Sequence, residues 1–223
     1  MIRRPMSSIR PLRPLAVALF VLLVPLLLIT TSVRLVINWP RLYSNGFDKY
    51  DIPNRTPEPI ERGELLSAAE LLFNYLPRAR EADGDLEARL QCLMAAWLSM
   101  MGAPNFAVGL SHALGHVIGV KYSVGHGYTS CVTQPYVMEY NRPVSAHKQA
   151  LLARSAGIDT RGMSDEAAAE AAARAVDDFI LGLGMPHRIR ELEIPREDLP
   201  AIAELTIGDG GSRSNPIPVT TAE

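Results

Sequence analysis

The chain has 223 residues and a formal net charge of −2, so it lacks the basic excess that binds nucleic acid through its phosphates. Its length suits one domain of ordinary size, or a small domain plus an appendage. Two cysteines, Cys92 and Cys131, exclude a disulfide framework or a zinc knuckle; both are expected to be small buried residues.

The N-terminus predicts a membrane signal. Arg3, Arg4, Arg10 and Arg13 precede the uncharged run Leu15 to Val33. As a helix that run spans about 28 Å, close to the hydrocarbon thickness of a bilayer. The arginines favour a cytoplasmic N-terminus, Trp39 and Tyr43 lie where aromatics anchor, and Pro25 is tolerated in a membrane helix. A cleaved signal peptide is the rival reading, but the run is long for one and no small-x-small cleavage site precedes Arg34. A linker rich in proline and polar residues then covers 38–62.

From Gly63 the pattern is helical. Leu65, Ala69, Leu72, Phe73 and Leu76 mark an apolar stripe that stops at Pro77. Asp85 caps a second helix with Leu86, Leu90, Leu93, Trp97 and Met101 along one face, broken at Gly102-Ala-Pro104. A third helix is expected from Phe106 to about Val120. Tyr128 to Tyr140 is apolar and ambiguous, because Pro135 fits poorly inside a helix but can open one. Ser145 to Ala156 predicts a short helix ending at Gly157. Ser164 caps the clearest helix, with Asp165 and Glu166 in its first turn and Ala168, Ala172, Ala175, Phe179 and Leu183 as its stripe. Gly184 and Pro186 end it. Arg196 to Ile207 gives a last short helix, and 208–223 reads as an irregular tail. No strand pattern, repeat, Gly-x-Gly-x-x-Gly or Walker-type loop occurs. The expected fold class is all-α, with a helical domain over 63–207 preceded by one transmembrane helix within 1–37.

His112, His116 and His126 are the chemistry-bearing cluster. On a helix, the i, i+4 spacing of the first two puts both imidazoles on one face. His126 follows between two glycines, where the chain can turn back. Neutral imidazoles bind zinc or ferrous iron, so the cluster is half of a metal site or a set of helix-packing histidines. No histidine occurs before residue 112. His147 and His187 read as surface or capping residues.

Gly109-Leu-Ser-His112-Ala-Leu-Gly-His116-Val-Ile-Gly119, Val124-Gly-His126-Gly-Tyr-Thr-Ser-Cys-Val and Pro135-Tyr-Val-Met-Glu-Tyr-Asn141 resemble the iron-containing alcohol dehydrogenase family, near its maleylacetate reductase branch. Leu72-Phe-Asn-Tyr-Leu-Pro77, Glu87-Ala-Arg-Leu-Gln91, Ala95-Ala-Trp-Leu-Ser99 and Asn215-Pro-Ile-Pro-Val219 agree, so the likeness covers Leu65 to Val219. It implies the dehydroquinate synthase-like helical domain. In that family an N-terminal α/β domain binds NAD(P). One Asp and three His hold a divalent metal, iron or zinc, which polarises a small alcohol or carbonyl substrate for hydride transfer. By this resemblance His112 and His126 are metal ligands, and His116 is the non-ligand histidine that relays a proton. The other two ligands come from an upstream Asp-x-x-x-His pair. The corresponding Arg41 to Asp51 has no histidine, and Asp48 and Asp51 do not form the motif. The expectation is a half site with no NAD(P) domain, weakly active or inactive alone unless a partner chain supplies the nucleotide domain.

Val33-Arg-Leu-Val-Ile-Asn38 and Leu42-Tyr-Ser-Asn-Gly-Phe-Asp-Lys-Tyr-Asp-Ile-Pro-Asn-Arg-Thr56 resemble the start of a bacterial integral-membrane family that includes lipoprotein intramolecular transacylases. Together the two likenesses imply a chimera joined between Pro57 and Leu65. It would be a single-pass protein in contact with membrane lipid, its N-terminus cytoplasmic and its dehydrogenase part across the membrane. The alternatives are a non-catalytic, membrane-anchored helical interaction module and a truncated gene product.

Overall fold

The computed structural model describes residues 59–82, 84–101, 108–217 and 219. The apolar run Leu15–Val33 and the membrane-family segment up to Thr56 lie outside them. Among the described residues no helix is long and apolar enough to cross a membrane, and no strand occurs. The elements are α1 (Pro59–Glu81), α2 (Leu86–Met101), α3 (Leu110–Tyr122), α4 (His126–Ser155), α5 (Asp165–Gly182), 3-10 turns at Ile189–Leu192 and Arg196–Asp198, α6 (Leu199–Ile207) and α7 (Gly210–Ser214). The all-α expectation holds across this region.

α1 differs from the expected helix at both ends. It begins at Pro59, inside the stretch read as linker, and runs through Pro77. The turn beyond Pro77 is tied from outside: Arg80 Nη1 donates to Gly182 O at 3.0 Å, and Arg78 Nη2 pairs with Asp85 Oδ2 at 3.0 Å. These contacts hold a turn that proline alone would weaken.

α2 starts where its cap predicts, with Asp85 Oδ1 accepting from Ala88 N at 2.9 Å. Its orientation is the reverse of the expected one. Leu86, Leu90, Leu93 and Trp97 are 77%, 55%, 66% and 56% exposed, while Ala88, Cys92, Ala95 and Ser99 are buried. The buried face is the small-residue face, which lets α2 lie close to the large Leu72 and Leu76 of α1 within one core cluster. The expected position of Met101 on the stripe falls outside the described side chains. Burial of the Cys92 thiol pushes its pKa up to about 11, and Cys131 is also buried, as expected for both.

α3 starts at Leu110 rather than Phe106, with Gly109 at its N-cap; Phe106 itself is outside the described residues. The ambiguous apolar segment and the short helix after it are one element, α4, with Pro135 and Pro143 inside. Gln149 Nε2 donates to Met138 O at 2.8 Å. On a straight helix those residues would stand about 16 Å apart, beyond a glutamine's reach. α4 therefore bends sharply around Pro143, the residue that interrupts its hydrogen-bond ladder. At its end Gly157 takes φ +79, and Ile158 N bonds to Ala153 O at 3.0 Å; this left-handed stop is open to glycine.

α5 matches its expected cap and stop. Ser164 Oγ accepts from Ala167 N at 3.2 Å, and Gly184 turns the chain at φ +66. Its Ala168, Ala172, Ala173, Val176 and Ile180 pack with Leu72, Leu76, Met138 and Leu152 in the main core. Phe73 meets Phe179 edge-on at 4.8 Å between ring centroids. A smaller cluster of Ile118, Ile194 and Ile202 joins α3 to α6. The tail read as irregular contains α7, capped by Asp209.

Two outcomes follow for stability. Leu72→Ala, inside the core, should cost about 2–5 kcal/mol, whereas Leu93→Ala on the open face of α2 should change stability by less than about 0.5 kcal/mol. Urea unfolding of both variants reads this, and equal losses would reverse the assigned faces. Asp85 gives a pH test. Its hydrogen bond from Ala88 N holds its carboxyl below the ordinary carboxylate range; partial burial opposes this, and the Arg78 guanidinium adds to the lowering. A lowered folded pKa contributes stability above the unfolded group's range and loses it as pH falls through the folded value. The gap in melting temperature between wild type and Asp85→Ala should be full at neutral pH and shrink below about pH 4. A gap unchanged down to about pH 2 would remove the ionic contribution.

Candidate metal and proton-transfer site

α3 and α4 form a helical hairpin joined by Ser123–Gly125, with Ser123 in the left-handed region at φ +54. The turn reverses the chain so that His126, the first residue of α4, returns to the face of α3 that carries His112 and His116. The approach is close because α3 presents glycine there. A Cβ at Gly115 would stand 2.8 Å from His126 Cε1 and 3.0 Å from Thr129 Oγ1. Ser111 Oγ and Thr133 Oγ1 join the two helices beneath the site at 2.7 Å.

The structure thus brings all three expected histidines together. His126 Nε2 and His112 Nδ1 face each other at 3.0 Å, with ring planes at 83°. Such a bond needs one protonated and one bare nitrogen. His116 lies edge-on to His112, centroids 4.3 Å apart, but its polar contact goes elsewhere. Its Nδ1 is 2.9 Å from Asp209 Oδ2.

Two imidazole nitrogens about 3 Å apart can share one cation, since metal–nitrogen bonds of about 2.0–2.1 Å span that separation at close to a right angle. His112 and His126 therefore fit two ligand positions. Among the described residues no group of three or more His, Cys, Asp or Glu is placed to hold an ion. The geometry separates His116 from that pair by engaging it with a carboxylate.

Asp209 is the residue that sequence reasoning missed. Its Oδ1 accepts from Gly211 N at 2.7 Å and its Oδ2 faces His116. Burial by itself would raise its pKa; opposed chiefly by the His116 hydrogen bond and the Gly211 N–H, the carboxyl is held below its ordinary range. The signal was an N-cap pattern, Asp209 ahead of Gly210 and Gly211, in a stretch read as irregular. The same tail carries Asn215. Its Oδ1 accepts from Leu110 N at 3.2 Å, capping the α3 backbone where Gly109 has no side chain to do so. Asn215 and Asn141 exchange amide hydrogen bonds at 2.7 and 3.0 Å, both residues fully buried. Gly211 admits this docking, because a Cβ there would meet Gly109 O at 2.8 Å.

The remaining histidines stay apart, as expected. His147 is exposed. His187 sits between Asp177 and Glu191, 3.4 Å from each, and links α5 to the following 3-10 turn.

Comparison with known proteins identifies relatives of this helical region. Residues 53–223 match the Fe-containing alcohol dehydrogenase family, C-terminal. The chain is 31% identical to 1,3-propanediol dehydrogenase of Citrobacter freundii over 163 residues, 73% of this chain and 42% of that protein. It is 32% identical to lactaldehyde reductase of Escherichia coli strain K12 over 133 residues, 60% of this chain and 35% of that one. Among solved structures, the alcohol dehydrogenase from Oenococcus oeni superposes with a TM-score of 0.75 at 28% identity, over 88% of this chain and 47% of that chain. Maleylacetate reductase from a Rhizobium strain gives 0.64 at 26%, over 86% and 47%. The chain thus spans less than half the length of these relatives. The match starts at residue 53, ahead of the junction expected between Pro57 and Leu65. Nothing in these likenesses supports the membrane anchor. The helices, the histidine hairpin and the Asn215 tail together are a C-terminal domain, and the chain belongs to the iron-containing alcohol dehydrogenase family.

Proposed function

We propose that this chain provides the metal-bearing helical part of an NAD(P)-linked, metal-dependent alcohol dehydrogenase or carbonyl reductase. In this reading His112 and His126 hold a divalent ion, iron or zinc, and His116 moves the proton. The observation that carries it is the 3.0 Å convergence of His126 Nε2 on His112 Nδ1 with His116 turned to a carboxylate. When bound, the ion polarises the substrate oxygen as a Lewis acid. His112 Nδ1 and His126 Nε2 would hold it. His116, half exposed at 49%, can exchange a proton between a substrate hydroxyl and solvent. Relatives named for 1,3-propanediol and lactaldehyde favour a short, hydroxylated alcohol or aldehyde as substrate.

The described residues supply two donors and no nucleotide domain. Further ligands and the hydride donor's binding site have to come from outside the described helices. Turnover by these helices alone is expected to be weak or absent, because the hydride donor needs its own domain.

The test is metal binding. The purified chain should bind zinc or ferrous iron, and His112→Ala and His126→Ala should each weaken that binding by at least about 10-fold, with His147→Ala as the unaffected control. Unchanged metal content in both site variants would end this reading. Stably folded, metal-free preparations would favour the non-catalytic helical module instead. Gly115→Ala tests the same convergence without removing a ligand. Its methyl group must push the His126 ring away, costing about 1–3 kcal/mol of stability as overpacking does. It should also weaken metal binding in the same direction as His126→Ala; wild-type affinity in Gly115→Ala would separate the close approach from the metal site.

A further inference from the structure

We propose that Asp209 is a positioning residue that fixes His116 in the tautomer with its proton on Nδ1, leaving the Nε2 lone pair as the ring's proton-accepting position. The inference rests on the reading of His116 as proton carrier and says how that role is set.

An ionised carboxylate only accepts hydrogen bonds. Asp209 Oδ2 stands 2.9 Å from His116 Nδ1, so Nδ1 must donate. Asp209 is held ionised by the His116 and Gly211 hydrogen bonds despite the burial that opposes them. Its orientation is fixed from the other side, because Oδ1 is occupied by Gly211 N at 2.7 Å. The two oxygens therefore do separate work: Oδ1 caps α7, and Oδ2 reaches across 93 residues of sequence to α3. The cap alone needs only one acceptor, which an asparagine would also supply.

The chemical consequence follows from the tautomer. With Nδ1–H fixed, a neutral His116 can take the proton of an alcohol at Nε2 and release it to solvent from the same atom. In the reduction direction the charged ring gives its Nε2 proton to the alkoxide. A neutral ring protonated at Nε2 has no lone pair there to begin the oxidation. Fixing an imidazole tautomer through a carboxylate is a known catalytic device, and replacing that carboxylate by its amide leaves the geometry but presents the wrong nitrogen.

The experiment reads the tautomer directly. The full chain, labelled with 15N-histidine and free of metal, is recorded at about pH 8.5, where imidazoles are neutral, and His116→Gln assigns the signals by their loss. In wild type, Nδ1 of His116 should be the pyrrole-type nitrogen and Nε2 the pyridine-type one. In Asp209→Asn the amide oxygen keeps the bond from Gly211 N, and the amide NH2 now faces His116, so the two nitrogen types should exchange. The melting temperature should stay near the wild-type value, a combination that a purely structural role would not produce. An Nε2–H ring in wild type would overturn the proposal without any variant. A folded Asp209→Asn that keeps Nδ1–H would overturn it equally. Neither result needs metal, cofactor or substrate. Loss of the oxidoreductase reading through unchanged metal binding therefore leaves this test standing, and a chain that turns over substrate with the wrong tautomer would sink this inference alone.

Discussion

The arrangement depends on one buried exchange of amides. Asn141 lies on α4 and Asn215 follows α7, and each donates to the other at full burial. Asn215 Oδ1 also takes the Leu110 N–H, and its Nδ2 donates to Ile217 O at 2.7 Å. Three segments distant in sequence thus meet at one polar point. A buried amide left without partners costs about 1–3 kcal/mol, so the pair favours a fully docked tail over a partly docked one. With the tail in place, α3 has a cap for its first turn and Asp209 lies beside His116.

Small residues let that contact coexist with the histidine cluster. Gly115 makes room for the His126 ring and Gly211 lets α7 approach Gly109 O. Dense packing would otherwise keep an imidazole at the start of α4 away from the next helix. Two polar pairs result. One joins imidazole to imidazole, His112 to His126, and the other joins imidazole to carboxylate, His116 to Asp209.

Local chemistry was legible in the sequence and orientation was not. Asp85, Ser164 and Gly184 announced helix ends through hydrogen bonding or backbone geometry that each residue supplies itself. The histidine spacing likewise placed His112 and His116 on one face. The stripe of α2 misled because periodicity shows that a helix has two faces without showing which one meets the neighbour. Here α1 contributes the bulky leucines, and α2 answers with Ala88, Cys92 and Ala95. Pro143 concealed the continuity of α4, since the helix survives it by bending. Asp209 and Asn215 were hidden for a different reason: their partners are His116 and Leu110, 93 and 105 residues away, and no local pattern encodes such a pairing.

Those separations also set an order of assembly. In synthesis from the N-terminus α3 is made before the segment that carries Asp209 and Asn215, so the Leu110 N–H and His116 gain these partners only after that segment follows. The α3–α4 hairpin can close early, because its histidines are only 14 residues apart and short loops close at small entropic cost. The tail contacts are non-local and are rewarded only after their loop has been closed. The pair of imidazoles, 14 residues apart, can thus form before the imidazole–carboxylate pair, whose members are 93 residues apart.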